Sequence, residues 1–436
     1  MEELYDVLIA GKMGSKAGFK PTEEQLEAMN SGINAEKVAQ IETNEDNISV
    51  LQNNVENVDE KVANVSDVVG AIIAHGTQSW DTVQAIVRSG LAPEYYPVGT
   101  ILYDNWDETT GTAFRVVGYD VYFDDTLTAQ GYTHSMLLYE EAIDKQMQFD
   151  ASEAWLYAEQ AIPAGTYRFT IPDYDTAYGG NKTYIFTSTV DVPVGGQLTL
   201  IWAYQQLPSK VQGYTSSTAT TALFDANIAE WNGTDACIDL GTIKLTANDA
   251  DSQYGKLNHI QRARYGSNNY YQSGLRQYLN TTTASDWWQP TNIFDRPYAN
   301  RNNPGRLTNF DTDFVAKLAA PQITCITNNV FEYGDIDGVP FELQTAYTVK
   351  EKMFLLTHTE LNLSASPSVG NILPYYIGAD NTKRIKRLKS NNDAASYWLR
   401  TCLTNAANER RVNTNGERDY DLSMNTGGVA AACVIQ

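Results

Sequence analysis

The residues of this chain best suited to chemistry are four cysteines, four histidines and 53 carboxylates. Cys237, Cys325, Cys402 and Cys433 show no C-x-x-C spacing, so neither a zinc site nor a thioredoxin-like site is expected. They read as buried, reduced thiols. His75, His134, His259 and His358 lie at the end of a periodic segment or in strand-like and loop contexts, and they read as structural. No H-E-x-x-H, G-x-S-x-G or G-x-x-x-x-G-K-[ST] string occurs. A Glu/Asp pair could cleave a glycan, but so many carboxylates single out no pair. The long repetitive strand pattern of β-helical depolymerases is not seen either. No catalytic residue, cofactor or metal is expected, and the chain reads as a non-enzyme.

The elements that would position any site must come from 436 residues, enough for two or three domains. A hydrophobic fraction of 42% promises a packed core. The 27 Tyr, 8 Trp and 13 Phe are interleaved with Asn, Thr, Ser and Gly, a mixture common in β-rich recognition proteins. A net charge of −22 opposes contact with nucleic acid or anionic membrane. No apolar run is long enough to insert in a membrane. The start MEELYDVLIAGKMGSK lacks the pattern of a secretory signal, so export by other means, such as virion release, is expected.

Residues 33–75 carry a heptad repeat. Ile41, Ile48, Val55, Val62 and Val69 recur every seven residues, and Leu51, Val58, Val65 and Ile72 form the second series, with Asn44 its polar member. The flanking positions are polar, among them Glu45, Asn47, Gln52, Asn54, Asp59 and Lys61. The seam is β-branched except for Leu51, which favours three strands over two. A trimeric coiled coil of roughly 50 Å is therefore expected. Residues 1–32, with Leu4, Val7, Leu8 and Ile9, then Gly11, Gly14 and Gly18 and a short helix after Pro21, read as a virion attachment segment.

Ser79 looks like the N-cap of a neck helix within 76–96, with Gly90 as its stop. From Val98 the pattern turns β. FRVVGYDVYF (114–123) alternates, and HSMLLYEEAI (134–143) reads as a buried strand leading into a helix. Residues 155–246 carry strand runs broken by Gly and Pro, expected as an inserted β-sandwich.

Near the C-terminus, Tyr397, Trp398 and Leu399 read as an apolar strand, with Arg400 placed to pair with a buried carboxylate. GVAAACVI (428–435) reads as a fully buried strand whose alanines allow close approach. The polar, turn-rich stretch between them is bounded by core strands, which is how a scaffold presents a variable surface. Together with GSNNYYQSGLRQYLN (266–280) and KMFLLTHTEL (352–361), these strings resemble a domain family of phages and prophages. That family has a C-type-lectin-like fold, related to formylglycine-generating enzymes and to the variable proteins of diversity-generating retroelements. The resemblance covers 97–154 and 247–436. It implies a multidomain chain: an N-terminal α-helical trimeric coiled coil, then an α+β C-type-lectin-like head with an inserted β-sandwich. It also implies ligand contacts at Thr401, Leu403, Asn405, Asn408, Arg411, Asn413, Arg418, Tyr420 and Asn425.

The formylglycine-generating relatives use two reactive cysteines. Cys402 and Cys433 could lie on adjacent strands, but no His is near either in sequence, so oxidase chemistry is not expected. The E-P-N, Q-P-D and W-N-D strings of calcium-dependent lectins are missing. Gln289-Pro290-Thr291 ends in Thr, which supplies no carboxylate, so recognition is expected to be calcium-independent.

Residues 383–418 hold nine basic side chains (Lys383, Arg384, Lys386, Arg387, Lys389, Arg400, Arg410, Arg411, Arg418) against Asp393, Glu409 and Glu417. They could receive anionic glycans, or balance acidic neighbours in a trimer. The sequence thus points to a phage tail fibre or receptor-binding protein on the virion, made in the host cytoplasm. Its expected partners are two further copies of itself, other virion proteins at the N-terminus, and a bacterial surface glycan or protein. Nucleic acid and membrane insertion are not expected. The alternative is a structural virion component, a head fibre or decoration protein, without receptor binding.

Overall fold

A Ser at position 79 followed by apolar residues three to four apart should start an amphipathic helix, and it does. The computed structural model describes residues 23, 35–152, 156–158, 160–171, 182–202, 208–216, 218–219, 221–242, 265–291, 295–325, 347–364, 368–403 and 408–436. Helix α2 (Trp80–Arg88) opens on the Ser79 hydroxyl, which accepts the Thr82 N–H. It buries Trp80, Val83, Ile86 and Val87 on one face. Gly90 follows at φ +74°, the left-handed turn that ends the helix. Helix α1 (Ala35–His75) precedes it. The shorter helices are α3 (Ala92–Tyr95), α4 (Asp125–Ala129), α5 (Gly274–Leu279) and α6 (Thr312–Lys317).

Strands dominate the rest. The first group is β1 (Ile101–Tyr103), β2 (Ala113–Tyr119), β3 (Met136–Glu140), β4 (Ala142–Ile143) and β5 (Gln146–Gln148). The second is β6 (Leu156–Tyr157), β7 (Gly165–Ile171), β8 (Lys182–Ser188), β9 (Gln197–Trp202), β10 (Pro208–Tyr214), β11 (Phe224–Asn227), β12 (Ala229–Glu230) and β13 (Ile238–Thr242). The last is β14 (Leu318–Ala319), β15 (Gln322–Cys325), β16 (Tyr347–Lys350), β17 (Met353–Phe354), β18 (Lys386–Leu388), β19 (Ala394–Ala395), β20 (Tyr397–Cys402), β21 (Asn408–Val412), β22 (Arg418–Leu422), β23 (Thr426–Gly428) and β24 (Ala432–Ile435).

Chain contacts divide the protein into Met1–Asp67 and Val68–Gln436. In the larger unit a six-stranded sheet runs β1-β2-β3-β24-β14, with β17 also pairing β24. Its centre is β24, flanked by β3 on one side and by β14 and β17 on the other. All four of its residues are buried, because a strand with neighbours on both edges and covered faces admits only small and apolar side chains. A five-stranded sheet runs β22-β21-β20-β23-β5, and a three-stranded sheet β19-β18-β4. Both serve the same core, which includes Trp398, Tyr397, Phe149, Trp80 and Phe114. Full burial of each such side chain contributes roughly 1.5–3 kcal/mol.

Strands β6 to β13 form two four-stranded sheets, β11-β10-β9-β6 and β12-β8-β7-β13, around a separate core. Phe186 of β8 stacks on Phe224 of β11 at 6.2 Å, joining the two sheets. A cleft of ≈ 690 Å³ opens here, lined by residues such as Thr166, Thr187, Asp225 and Asn227.

The fold class read from the sequence is corrected. The chain is mostly β, built from antiparallel and mixed sheets, and among the described residues every helix that follows α1 has nine residues or fewer. The described architecture is therefore not an α-helical trimeric coiled coil joined to an α+β lectin-like head. A heptad repeat specifies an apolar stripe, and α1 carries that stripe as one helix. Ile48, Leu51, Val55, Val58, Val62, Val65 and Val69 are exposed along it, Ile72 is half-buried, and the Ile41 side chain lies outside the description. Residues 1–22 and 24–34, read as the attachment segment, also lie outside the described residues.

The helix expected after 134–143 is replaced by β4 and β5. Glu140 and Glu141 are the cause. Glu140 is fully buried, bonds Arg306 (3.0 Å from Nε) and accepts the Ala431 N–H at 2.8 Å. Glu141 takes a bidentate pair from Arg115, both bonds 2.7 Å. With consecutive carboxylates committed to opposite sides, the backbone stays extended.

Candidate functional site: the Asn408–Leu422 hairpin

The hairpin stands on β20, the most deeply buried strand in its sheet. All six residues of Tyr-Trp-Leu-Arg-Thr-Cys are buried. Trp398 Nε1 donates to Met147 O at 2.8 Å, and the Tyr397 hydroxyl donates to Arg384 O at 2.8 Å. The carboxylate partner of Arg400 is Glu360, at 2.8 and 3.1 Å, and both side chains are essentially inaccessible. Arg400 also donates to the Tyr122 hydroxyl at 2.6 Å and to Leu355 O, and Tyr122 itself bonds Glu360. Glu360 further accepts the Thr357 N–H at 2.7 Å. A buried pair this fully hydrogen-bonded fixes the strand in one position.

Strand β20 pairs β21, and β21 pairs β22 in the register Asn408↔Leu422, Glu409↔Asp421, Arg410↔Tyr420, Arg411↔Asp419 and Val412↔Arg418. The turn between them is built by Asn413. Its Oδ1 accepts the N–H groups of Asn415 (2.9 Å) and Glu417 (3.0 Å). Gly416 sits at φ +76°, and a Cβ there would lie 1.9 Å from Asn381 O. Only glycine meets both conditions.

Directly opposed residues share a face, and alternate residues lie on opposite faces. The register therefore sorts the charges. Glu409, Asp419 and Asp421 lie on one face with Arg411. Arg411 pairs with Asp419 at 2.8 Å and with Asp421. The other face carries Asn408, Arg410 and Val412 opposite Leu422, Tyr420 and Arg418, and no carboxylate. Tyr420 is 55% exposed and Arg418 is exposed, while Arg410 is half-buried. Arg418 donates to Ser364 O at 3.1 Å and makes no ion pair among the described residues.

Beneath this face lies His358, with 0% exposure. Among the described residues neither ring nitrogen has a partner at full hydrogen-bond geometry, and the Arg411 backbone lies nearby. Burial, then the Arg410 charge, hold its pKa down to about 3, with Arg418 adding to the effect. The imidazole is neutral. Burial also lowers the pKa of Arg410, and the Arg418 charge adds to it.

The other residues proposed from the sequence fall into different places. Thr401 is buried, its hydroxyl accepting the His358 N–H at 3.2 Å. Leu403 is half-buried and donates its N–H to Asn408 O at 3.2 Å. Asn425 donates to Asp421 at 2.7 Å, so it belongs to the acidic face. Asn405 lies outside the described residues. Arg410, named from the sequence only as part of the basic run, lies on the same hairpin face as Arg418 and Tyr420. The basic run of 383–418 is largely consumed inside the chain. Arg384 donates to the carbonyls of Leu361, Asn362 and Ala379, Lys386 reaches Glu140 O, and Arg400 and Arg411 are paired.

None of the four cysteines is in a disulfide, and burial pushes Cys325 up to about 12 and raises Cys433 strongly. Cys402 lies on β20 and Cys433 on β24, which belong to different sheets. Among the described residues no group of His, Cys, Asp or Glu is placed to hold a metal, and no helix is long and apolar enough to cross a membrane.

A family model described as a domain of unknown function (DUF6273) matches residues 241–436, a stretch that contains the whole hairpin. No curated protein and no solved structure matches the chain.

Proposed function

We propose that this chain is a recognition protein of a bacteriophage virion, a tail fibre or receptor-binding protein, and that the hairpin is its contact surface for the bacterial envelope. It acts by binding, without catalysis or a cofactor. The observation that carries the reading is the exposed Tyr420 and Arg418 on a hairpin that stands on a buried, hydrogen-bonded base, the Arg400–Glu360–Tyr122 cluster. Rigid support under exposed polar and aromatic side chains lowers the entropy cost of binding. The sequence context fits: an acidic chain rich in aromatic and Asn residues, ending in strings like those of phage structural proteins.

The test is competition. Purified full-length chain is added to host cells before phage, and free phage is counted. Adsorption should fall with added chain, and Tyr420→Ala should weaken the competition about tenfold. A purely structural virion component would leave adsorption unchanged with either protein. EDTA should not alter the outcome, since Thr291 stands where a calcium-binding carboxylate would be required.

A further inference from the structure

We propose that the cleft in the β6–β13 sheets is a second binding site, and that it takes an uncharged sugar. It does not rest on the hairpin, which belongs to another sheet. Strands β7 and β8 pair in the register Thr166↔Thr187, Tyr167↔Phe186, Arg168↔Ile185 and Phe169↔Tyr184. Tyr167, Phe169, Tyr184 and Phe186 are buried in the core of the two sheets. Alternation therefore puts Thr166, Arg168, Ile185 and Thr187 on the outer face. The sheet runs β12-β8-β7-β13, so residues 231–237 pass from one edge to the other. They cross over the outer face. The Arg168 guanidinium lies 4.2 Å from the Trp231 ring centre and pairs with Asp239 at 2.7 Å. The crossing is fixed from within. Asn232 Oδ1 accepts the N–H groups of Thr234 (2.9 Å) and Asp235 (3.0 Å), and Asn232 Nδ2 donates to Asp235 Oδ1 at 3.0 Å. Trp231 Nε1 donates to Asp235 O at 3.2 Å.

The cleft beside this crossing measures ≈ 690 Å³, within the range of small-ligand sites. Ile185 and Ala229, directly opposed on β8 and β12, give it an apolar patch for the C–H face of a sugar ring. Its polar groups are the hydroxyls of Thr166, Thr187 and Thr189, the Asn227 amide, and the Asp225 and Asp235 carboxylates. Among the described residues no lysine, arginine or histidine lines it. These groups keep bonding capacity. Thr166 and Thr187 share one hydrogen bond at 3.0 Å, which leaves one hydroxyl proton over. Asp225 commits Oδ2 to Lys210 (3.1 Å) and Gln212 (3.3 Å), and Asp235 commits Oδ1 to Asn232. Sugar hydroxyls donate and accept at once, so adjacent ones can bind a carboxylate oxygen and an amide together. The carboxylates repel an anion. Lys210, already paired with Asp225, offsets one of their two charges and weakens the pull on a cation. An uncharged polyol is the class that suits both facts.

The test uses the full-length chain and five immobilised polymers. Dextran, mannan and galactan are neutral; dextran sulfate and diethylaminoethyl-dextran put either charge on the dextran backbone. Binding to at least one neutral polymer is expected, tighter than to either charged one. Asn227→Ala should weaken it roughly tenfold, the loss of one or two hydrogen bonds. Asn227 is exposed and its side chain bonds no described residue, so the variant keeps the fold. Asp235→Asn should weaken binding by less than Asn227→Ala, because its amide oxygen still accepts. Arg387→Ala, which removes an exposed arginine elsewhere, should leave binding unchanged. Binding to no neutral polymer, tightest binding to diethylaminoethyl-dextran, or equal losses in Asn227→Ala and Arg387→Ala overturns the proposal. Any of these leaves the hairpin reading standing, since that is decided by Tyr420→Ala in the competition with phage.

Discussion

Arg400 and Arg410 lie ten positions apart on neighbouring strands, and the fold uses them in opposite ways. Arg400 is sealed in the core, with Glu360 and Tyr122 around it and its guanidinium fully hydrogen-bonded. Burial alone would lower its pKa, but Glu360 reverses that and holds it above the usual arginine value. Arg410 is half-buried on the hairpin, where its Nε donates to Cys402 O at 3.3 Å, and burial lowers its pKa against the opposing charge of Glu409. One arginine is a tie inside the core and the other lies at its margin. The difference is which carboxylate the fold brings to each, since the side chains are chemically identical.

The sharpest way to break this comparison is Arg400→Ala. It leaves Glu360 charged and buried without its partner, so a loss of roughly 3–5 kcal/mol is expected in urea unfolding. The double variant Arg400→Met with Glu360→Gln should recover much of it. A loss under about 1 kcal/mol for Arg400→Ala would remove the basis of a rigid support.

Next in size is Gly416→Ala. It places a Cβ against Asn381 O in a left-handed backbone, and roughly 1–3 kcal/mol is expected. Hydrogen exchange should show the loss confined to amides of β21 and β22 while β24 keeps its protection. Equal loosening of both would mean that the hairpin and the core open together.

A smaller effect depends on pH. His358 has its folded-state pKa held down to about 3, below the unfolded value of about 6.5. Between those values the unfolded chain binds the extra proton. The contribution of His358 to stability is therefore complete above about pH 6.5 and is lost as pH falls toward 3, by at most about 1.4 kcal/mol per pH unit. The slope should be shallower in His358→Phe than in the parent chain. Identical slopes would mean that the imidazole finds a proton acceptor or water.

The smallest effect is expected at Arg411. Its ion pairs with Asp419 and Asp421 are partly solvated, so Arg411→Ala should cost less than about 1 kcal/mol. Competition with phage for host cells should be retained, because Arg411 lies on the opposite face from Tyr420. A loss matching that of Tyr420→Ala would show that both faces contribute.

Local signals were legible where a single element could satisfy them. The Ser79 cap, the Gly90 stop and the buried strands around Trp398 and Val434 follow from residue type and near spacing, and the need of Arg400 for a carboxylate follows from residue type alone. The heptad stripe was legible as a helix, but its partner was not, because an apolar stripe does not state what covers it. The helix after Ile143 was misread because Glu140 and Glu141 are claimed by Arg306 and Arg115, which are distant in sequence. Of the candidate site the sequence could mark only the segment, because the register that puts Arg411 and Asn425 on one face of the hairpin and Arg418 and Tyr420 on the other is set by strand pairing.

The sequence by itself determined the periods: a stripe along α1, alternation in the strands, a glycine where the backbone must turn left-handed. These depend on neighbours a few bonds away. Only the tertiary structure decided which charges are spent and which are presented. Arg400 meets Glu360 and Arg306 meets Glu140 across large sequence separations, and the register of β21 on β22 puts Arg411 with Asp419 and Asp421 while Arg418 and Tyr420 lie exposed on the other face. Electrostatic fate depends on distance in space, which the order of residues does not contain.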